Sequence, residues 1–338
     1  MFVSAGIACS LVTSYDGFTP ADGPPACGKH APARPTNAAP GGQGDLYGVA
    51  SVLRFTDQAD ASTLGYDLDG LCTCPGAGSC RSKKDGKQGP CDPPGTGVDN
   101  AAGAIVTLLY AGTDTSAFGL QQNIDTGVHG VAIKISGWNG LPDDPDVVVS
   151  LYNVGGVDGG RLAYLGNDEI YAAEESILAE PLGSRYYDPR AYVSGGVLVS
   201  EIDFSLRLVI TPPSADASQE VIAPLHTAKL VGRLKKVGNT GFEMLDAQLV
   251  GRLPEGDVFE QLGKLGICQG TSAYDGVKEN LCNALDINTN ATNDGKDTPC
   301  DALSFAVGLV VKPAKLTGHV ATPPTTPPCA AGPKDSCL

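Results

Sequence analysis

Residues 286–297, "DINTNATNDGKD", place oxygen-bearing side chains at alternate positions of a loop: Asp286, Asn288, Asn290, Thr292, Asp294 and, closing it, Asp297. A hard cation such as Ca2+ takes about six to eight oxygen ligands, and this spacing resembles a Ca2+ loop. Two positions depart from the EF-hand pattern: Ala291 stands where Gly makes the turn, and Asp297 replaces a longer Glu. A polar surface loop closed by Cys282 and Cys300 would read the same way. Ca2+ is the one cofactor suggested. A second acidic pair, Asp67 and Asp69, opens the stretch "DLDGLCTCPGAGSC" (67–80). Asp-x-Asp-Gly also builds ordinary Asx turns, and a turn is the expected role there.

The same stretch holds Cys72, Cys74 and Cys80, with Cys91 soon after. Eleven cysteines in Gly-, Pro- and Asp-rich sequence read as covalent staples of an oxidised, exported protein. Zinc would need paired Cys with His nearby, and His30, His129, His226 and His319 adjoin no C-x-x-C. Among Cys72, Cys74, Cys80 and Cys91 the pairing stays open. Further along, Cys268 and Cys282 flank a helical stretch and are expected to join its ends. Cys329 and Cys337 are expected to close a small loop, and Cys27 to pin the N-terminal segment. Cys9 is the odd one, following Ala8 in "SAGIACSLV" as a lipidated cysteine does. A free or intermolecular thiol is the alternative. The stretch before it is short for a full export signal, which suits a truncated start.

A third cluster lies in "SGWNGLPDDPD" (136–146): Trp138 with Asn139, Asp143 and Asp144. An indole beside amide and carboxylate groups could stack on a sugar and bind its hydroxyls. A turn whose Trp caps the core is the favoured role. No H-E-x-x-H, G-x-S-x-G or Walker A loop is present, so catalysis is not expected.

The elements that must position these groups are strands. Gly (44) and Pro (25) are plentiful, and turn residues separate short alternating runs. These include 46–55, 104–110, 128–136, 146–154, 161–165, 195–200, 204–210, 226–237, 242–253 and 302–311. In "FSLRLVI" Phe204, Leu206, Leu208 and Ile210 alternate with Ser and Arg. The expected fold is all-β, an antiparallel β-sandwich of jelly-roll or lectin-like kind. One or two short helices are expected near the C-terminus, over 253–268 and 273–285. In the first, Pro254 and following acids suit the first turn, and Val258, Leu262 and Leu265 share a face beside Phe259. The domain plan is a tether over 1–45, one domain over 46–320 and a Pro-rich tail over 321–338. Within the domain lie a disulfide-rich insert, 66–100, and a helical element, 253–301.

The set "GYDLDGLCTC…SC…CDPPGTGVDN", "ISGWNGLPDDPDVVVSLYN" and "CDALSFAVGLVV" resembles a cysteine-rich family of secreted lipoproteins of myxobacteria. The resemblance spans most of residues 9–320. It implies location and architecture, and no activity comes with it.

A net charge of −15 disfavours nucleic acid, and the basic run "RSKKDGK" (81–87) is interrupted by Asp85. No segment is long and apolar enough to span a membrane, so membrane contact is expected only through a lipid at Cys9. The expectation is a non-enzymatic binding or structural protein of the cell surface or periplasm, with Ca2+ as a stabilising ion. A glycan or an envelope protein is the expected partner, and a homo-oligomer is compatible with this. A carbohydrate-active enzyme or lectin-like module, and an envelope or filament subunit, remain open.

Overall fold

Period-two alternation in the sequence is met by strands whose inward residues are almost wholly apolar. The structure, a computed structural model, describes residues 28–42, 44–55, 64–73, 78–92, 96–103, 119–179, 181–210, 219–323, 327–329 and 334–337. Cys9, Cys27, Cys74 and the run 104–110 lie outside the described residues. The strands are β1 (Asp45–Arg54), β2 (Val131–Ser136), β3 (Asp144–Val157), β4 (Glu169–Ala173), β5 (Ile177–Ala179), β6 (Gly183–Ser184) and β7 (Tyr186–Ser194). There follow β8 (Val197–Glu201), β9 (Phe204–Ile210), β10 (Gln219–Arg233), β11 (Lys235–Val237), β12 (Gly241–Pro254), β13 (Ala302–Pro313) and β14 (Lys315–Val320). The helices are α1 (Leu120–Asp125), α2 (Glu255–Lys264) and α3 (Ser272–Ala284).

The expected sandwich is not formed. Strands β12, β13, β1, β2, β3, β7, β8 and β10 pair in that order, and β10 pairs back to β12. Every one of these pairings is antiparallel, so a single sheet closes into an eight-stranded barrel. The closing ladder sets Lys229 opposite Val250, Leu230 opposite Leu249 and Val231 opposite Gln248. Alternation reports one buried face per strand and is silent on whether that face meets a second sheet or the far wall of its own. Strand β10 shows how the curling is done: a bulge lies between His226 and Lys229, and the portion before it pairs with β9 instead.

An eight-stranded barrel is just wide enough for side chains to fill. Ile133, Ile135, Val149, Leu151, Leu230, Leu249, Val307 and Leu309 do so, none more than 2 % exposed. Gly48 makes room there, because a Cβ on it would stand 2.9 Å from the Phe242 ring. Two apolar layers cover the outer wall. Strands β4 and β14 pair in parallel, and Ile170 and Leu316 join Val49, Ala132, Tyr152 and Val154. On β12 and β13, Val250 and Ala306 meet Leu64, with Tyr66 and Leu68 packed alongside. The run 161–165 is a loop rather than a strand. Tyr164 has φ 59°, and the Asp168 carboxylate accepts from Ala163 N and Leu165 N.

Helix α2 carries Glu255 and Asp257 in its first turn and Lys264 in its last, and it buries Phe259 and Leu262. The bridge expected between Cys268 and Cys282 is not made. Cys282 lies ten residues into α3, about 15 Å along the axis at 1.5 Å per residue, beyond a disulfide's reach. Cys268 bonds Cys329, and Cys282 bonds Cys337. The loop expected from a Cys329–Cys337 bridge is therefore absent, and the tail is stitched to α3. Asp335 adds to that seam, accepting from Tyr274 Oη at 2.8 Å and pairing with Lys278 at 2.6 Å. Nor do Cys282 and Cys300 close the 286–297 loop: Cys300 bonds Cys80, 220 residues away. Cys72 and Cys91 are also disulfide-bonded, so all eight cysteines among the described residues are oxidised.

Candidate metal centre

Arg252 decides what the 286–297 loop does. It leaves the outer face of β12 into the layer between barrel and insert and is 1 % exposed. One guanidinium nitrogen donates to Asn288 O at 2.6 Å and to Asp294 Oδ1 at 2.9 Å. The other donates to Leu68 O at 2.8 Å and to Asp294 Oδ2 at 2.5 Å. Asp286 accepts from Ser304 N at 2.8 Å and from Ser304 Oγ at 2.5 Å. Asn288 accepts from Thr298 Oγ1, Asn290 accepts from Thr292 N and Oγ1, and Asp297 pairs with Arg81. The six residues expected to gather round Ca2+ thus do not converge: Asn290 and Thr292 bond each other, the rest bond residues outside the set, and the Arg252 guanidinium holds Asp294.

The acidic centre forms elsewhere in the insert. Asp67, Asp69 and Asp99 bring carboxylate oxygens within 4.8 Å of one another. An isolated bridge between Tyr66 and Asp99 holds the two segments side by side. Gly65 permits their approach, since a Cβ there would meet Asp99 O at 2.8 Å. Asp67 Oδ1 accepts from Gly70 N at 2.6 Å, and Asp69 Oδ1 accepts from Leu71 N at 2.7 Å. Those are the Asx turns the sequence suggests. Asp99 Oδ2 accepts from Leu68 N at 2.6 Å and from Asp69 N at 3.3 Å.

The turns use one oxygen of each aspartate. Asp67 Oδ2 and Asp69 Oδ2 are both buried without a well-formed hydrogen bond, the Ser79 hydroxyl lying beside Asp69. His30 Nε2 stands 3.5 Å from Asp67 Oδ2, on a side chain 47 % exposed. Burial raises the Asp67 carboxyl above its usual range. Burial pushes Asp69 up to about 6 and Asp99 up to about 10, the charges of neighbouring aspartates adding to both. Asp286 is raised to about 7, first by burial and further by Asp92 and Asp69. Two unit charges 4.8 Å apart repel by roughly 3 kcal/mol at an effective dielectric of about 20. A cation among them adds attractions that outweigh this repulsion. The donors are carboxylate and hydroxyl oxygens, the ligand set of a hard ion such as Ca2+.

Sequence reasoning found Asp67 and Asp69 but missed Asp99, which sits thirty residues on in "GTGVDN" and looks like one more turn aspartate. The only signal available was a second Asp-bearing turn inside the same cysteine-framed insert. The Trp138 cluster does come together, as a turn. Trp138 packs against the core and donates Nε1 to Leu141 O at 2.9 Å. Buried Asp144 accepts from Asn139 N at 2.7 Å and from Gly41 N at 3.4 Å. Asn139 Nδ2 donates to Asp143 O, and Asp143 Oδ1 accepts from Gly195 N. Those polar groups hold backbone.

No family model matches the chain, no curated protein matches it, and no solved structure matches it.

Proposed function

We propose that this is an exported, non-enzymatic binding or structural protein, a β-barrel whose disulfide-bonded insert is closed by Ca2+ at Asp67, Asp69 and Asp99. One observation carries the reading: Asp67 Oδ2 and Asp69 Oδ2 are both buried without a well-formed hydrogen bond, His30 Nε2 standing 3.5 Å from the first and the Ser79 hydroxyl beside the second. Buried polar atoms find partners, and a site built of orphaned carboxylate oxygens calls for a cation. The oxidised cysteines support an oxidising compartment. Lipid attachment at Cys9 belongs to the same proposal and would place the barrel on an envelope surface.

In this reading the ion is structural. It ties the Asp67–Asp69 turn to Asp99, and so holds the insert against the barrel wall formed by β12 and β13. A ligand that binds only the folded state stabilises it by mass action, about 2.7 kcal/mol at a hundredfold excess over Kd. The test is thermal unfolding of the disulfide-intact chain with millimolar CaCl2 against excess EGTA. Ca2+ should raise the melting temperature by several degrees, and Asp69→Asn should remove the response. An unchanged melting temperature in wild type sinks the proposal.

A further inference from the structure

A cleft of about 340 Å³ opens on the barrel's flank, where β7 begins, β8 ends and β10 bulges. Arg185, Tyr187, Glu201, Asp203, Thr227 and Lys229 line it. Tyr187 is 53 % exposed, the most exposed aromatic ring in the described structure. Its neighbour Tyr186 turns inward and meets Phe204 edge-on, with centroids 5.0 Å apart. One tyrosine therefore anchors the segment while the next is offered to solvent.

The backbone beneath the cleft is strained. Thr227 has φ 48°, a left-handed conformation that β-branched residues rarely adopt. It sits in the β10 bulge, a place that often takes Gly because Gly adopts positive φ freely. Asp203 Oδ1 holds the conformation by accepting from Thr227 N at 2.7 Å. Strain of this kind persists where its surroundings enforce it, and it clusters at ligand sites. A β-branched side chain standing where Gly would cost less marks this position as a place where the side chain itself has work to do.

The charges favour a neutral ligand. The chain as a whole has 38 acidic against 23 basic residues. In the cleft Arg185 and Lys229 match Glu201 and Asp203, with Lys229 Nζ 3.5 Å from Glu201. Arg185 is fixed by Nε donating to Glu175 O. An exposed ring flanked by both donors and acceptors of balanced charge is what a polyhydroxyl ligand requires. We propose that this cleft binds a neutral sugar, Tyr187 forming the stacking platform and Asp203, Glu201, Lys229 and Thr227 meeting its hydroxyls.

The test is calorimetric titration with neutral oligomers of glucose, mannose and N-acetylglucosamine, alongside a uronic-acid oligomer. At least one neutral oligomer should bind, and Tyr187→Ala should weaken it tenfold or more with the melting temperature unchanged. Thr227→Gly separates strain from recognition: it should raise the melting temperature by a few degrees and still weaken binding. The idea is overturned by no neutral oligomer binding, by binding of the uronic acid alone, or by undiminished affinity in Tyr187→Ala. Addition of EGTA should leave this affinity intact, so failure here is distinguishable from failure of the Ca2+ reading.

Discussion

Arg252 and Asp294 form a two-pronged ion pair beneath the insert, with side chains 1 % and 7 % exposed. Breaking one partner of a buried pair leaves an uncompensated charge, which costs about 3–5 kcal/mol. Asp294→Ala should therefore destabilise by that amount in denaturant unfolding. Replacing both partners with apolar residues should recover much of the loss. If the single substitution costs under about 1 kcal/mol, the guanidinium is satisfied by Asn288 O and Leu68 O alone.

The acidic centre makes stability depend on pH with a definite sign. Asp69, Asp99 and Asp286 have folded values of about 6, 10 and 7, above the unfolded carboxylate value of 3.8. The native state thus holds protons that the unfolded chain has released. Without Ca2+, that contribution is complete below about pH 4 and is lost as pH rises through the folded values. His129 acts oppositely, because burial lowers it from 6.5 to about 4 and its stabilising effect fades as pH falls through that range. Above about pH 7.5 His129 is neutral in both states, so a decline from there to pH 9 reports the aspartates. Melting curves in EGTA should fall across that interval, and saturating Ca2+ should flatten them. A flat curve in EGTA would contradict the raised values.

The Cys80–Cys300 bridge closes the longest covalent loop, spanning 220 residues. Cys80 Sγ lies 3.2 Å from the carbonyl oxygen of Asp286, so the bridge adjoins that buried carboxylate. The double change Cys80→Ser, Cys300→Ser should cost about 2–5 kcal/mol. Hydrogen exchange should show where the loss falls. Protection should drop first at 286–304 and at Val250, while the ladder between β2 and β3 stays closed.

What could be read from the sequence divides by range. The Phe204–Ile210 strand, the helix start next to Pro254 and the Asp67–Gly70 turn are local patterns and each forms, although β9 is buried on both faces where alternation implies one, and Pro254 caps the helix rather than opening it. Barrel closure depends on β10 meeting β12, and cysteine pairing on folded distance, so neither leaves a periodic mark. Arg252 reads as an ordinary polar member of "QLVGRLP"; nothing local marks it as buried under a second layer. The Ca2+ spacing at 286–297 misleads for the same reason, since its competitor for Asp294 comes from another strand. Asp99 joins Asp67 and Asp69 through the bridge at Tyr66 and the bonds it accepts from Leu68 N and Asp69 N, contacts that form only on folding.

Strand β9 offers the last prediction, because its two edges are satisfied differently. One edge pairs with β10 from Phe204 to Ile210. On the other, side chains replace a strand. Asn153 Oδ1 accepts from Arg207 N at 3.0 Å, and His129 Nδ1 accepts from Val209 N at 3.1 Å. Asn153 Nδ2 donates to Ser205 O, and Asn123 Nδ2 to Val209 O. A buried N–H left without its acceptor costs about 1–3 kcal/mol. Asn153→Ala should destabilise by that much, and Asn153→Leu by no less, since a larger apolar side chain restores volume but no hydrogen bond. Both should speed amide exchange at Arg207 ahead of exchange at Leu230 in the barrel wall. Equal exchange at the two positions would mean that β9 and the barrel open together, and that the side-chain bonds do not set the strand's own stability.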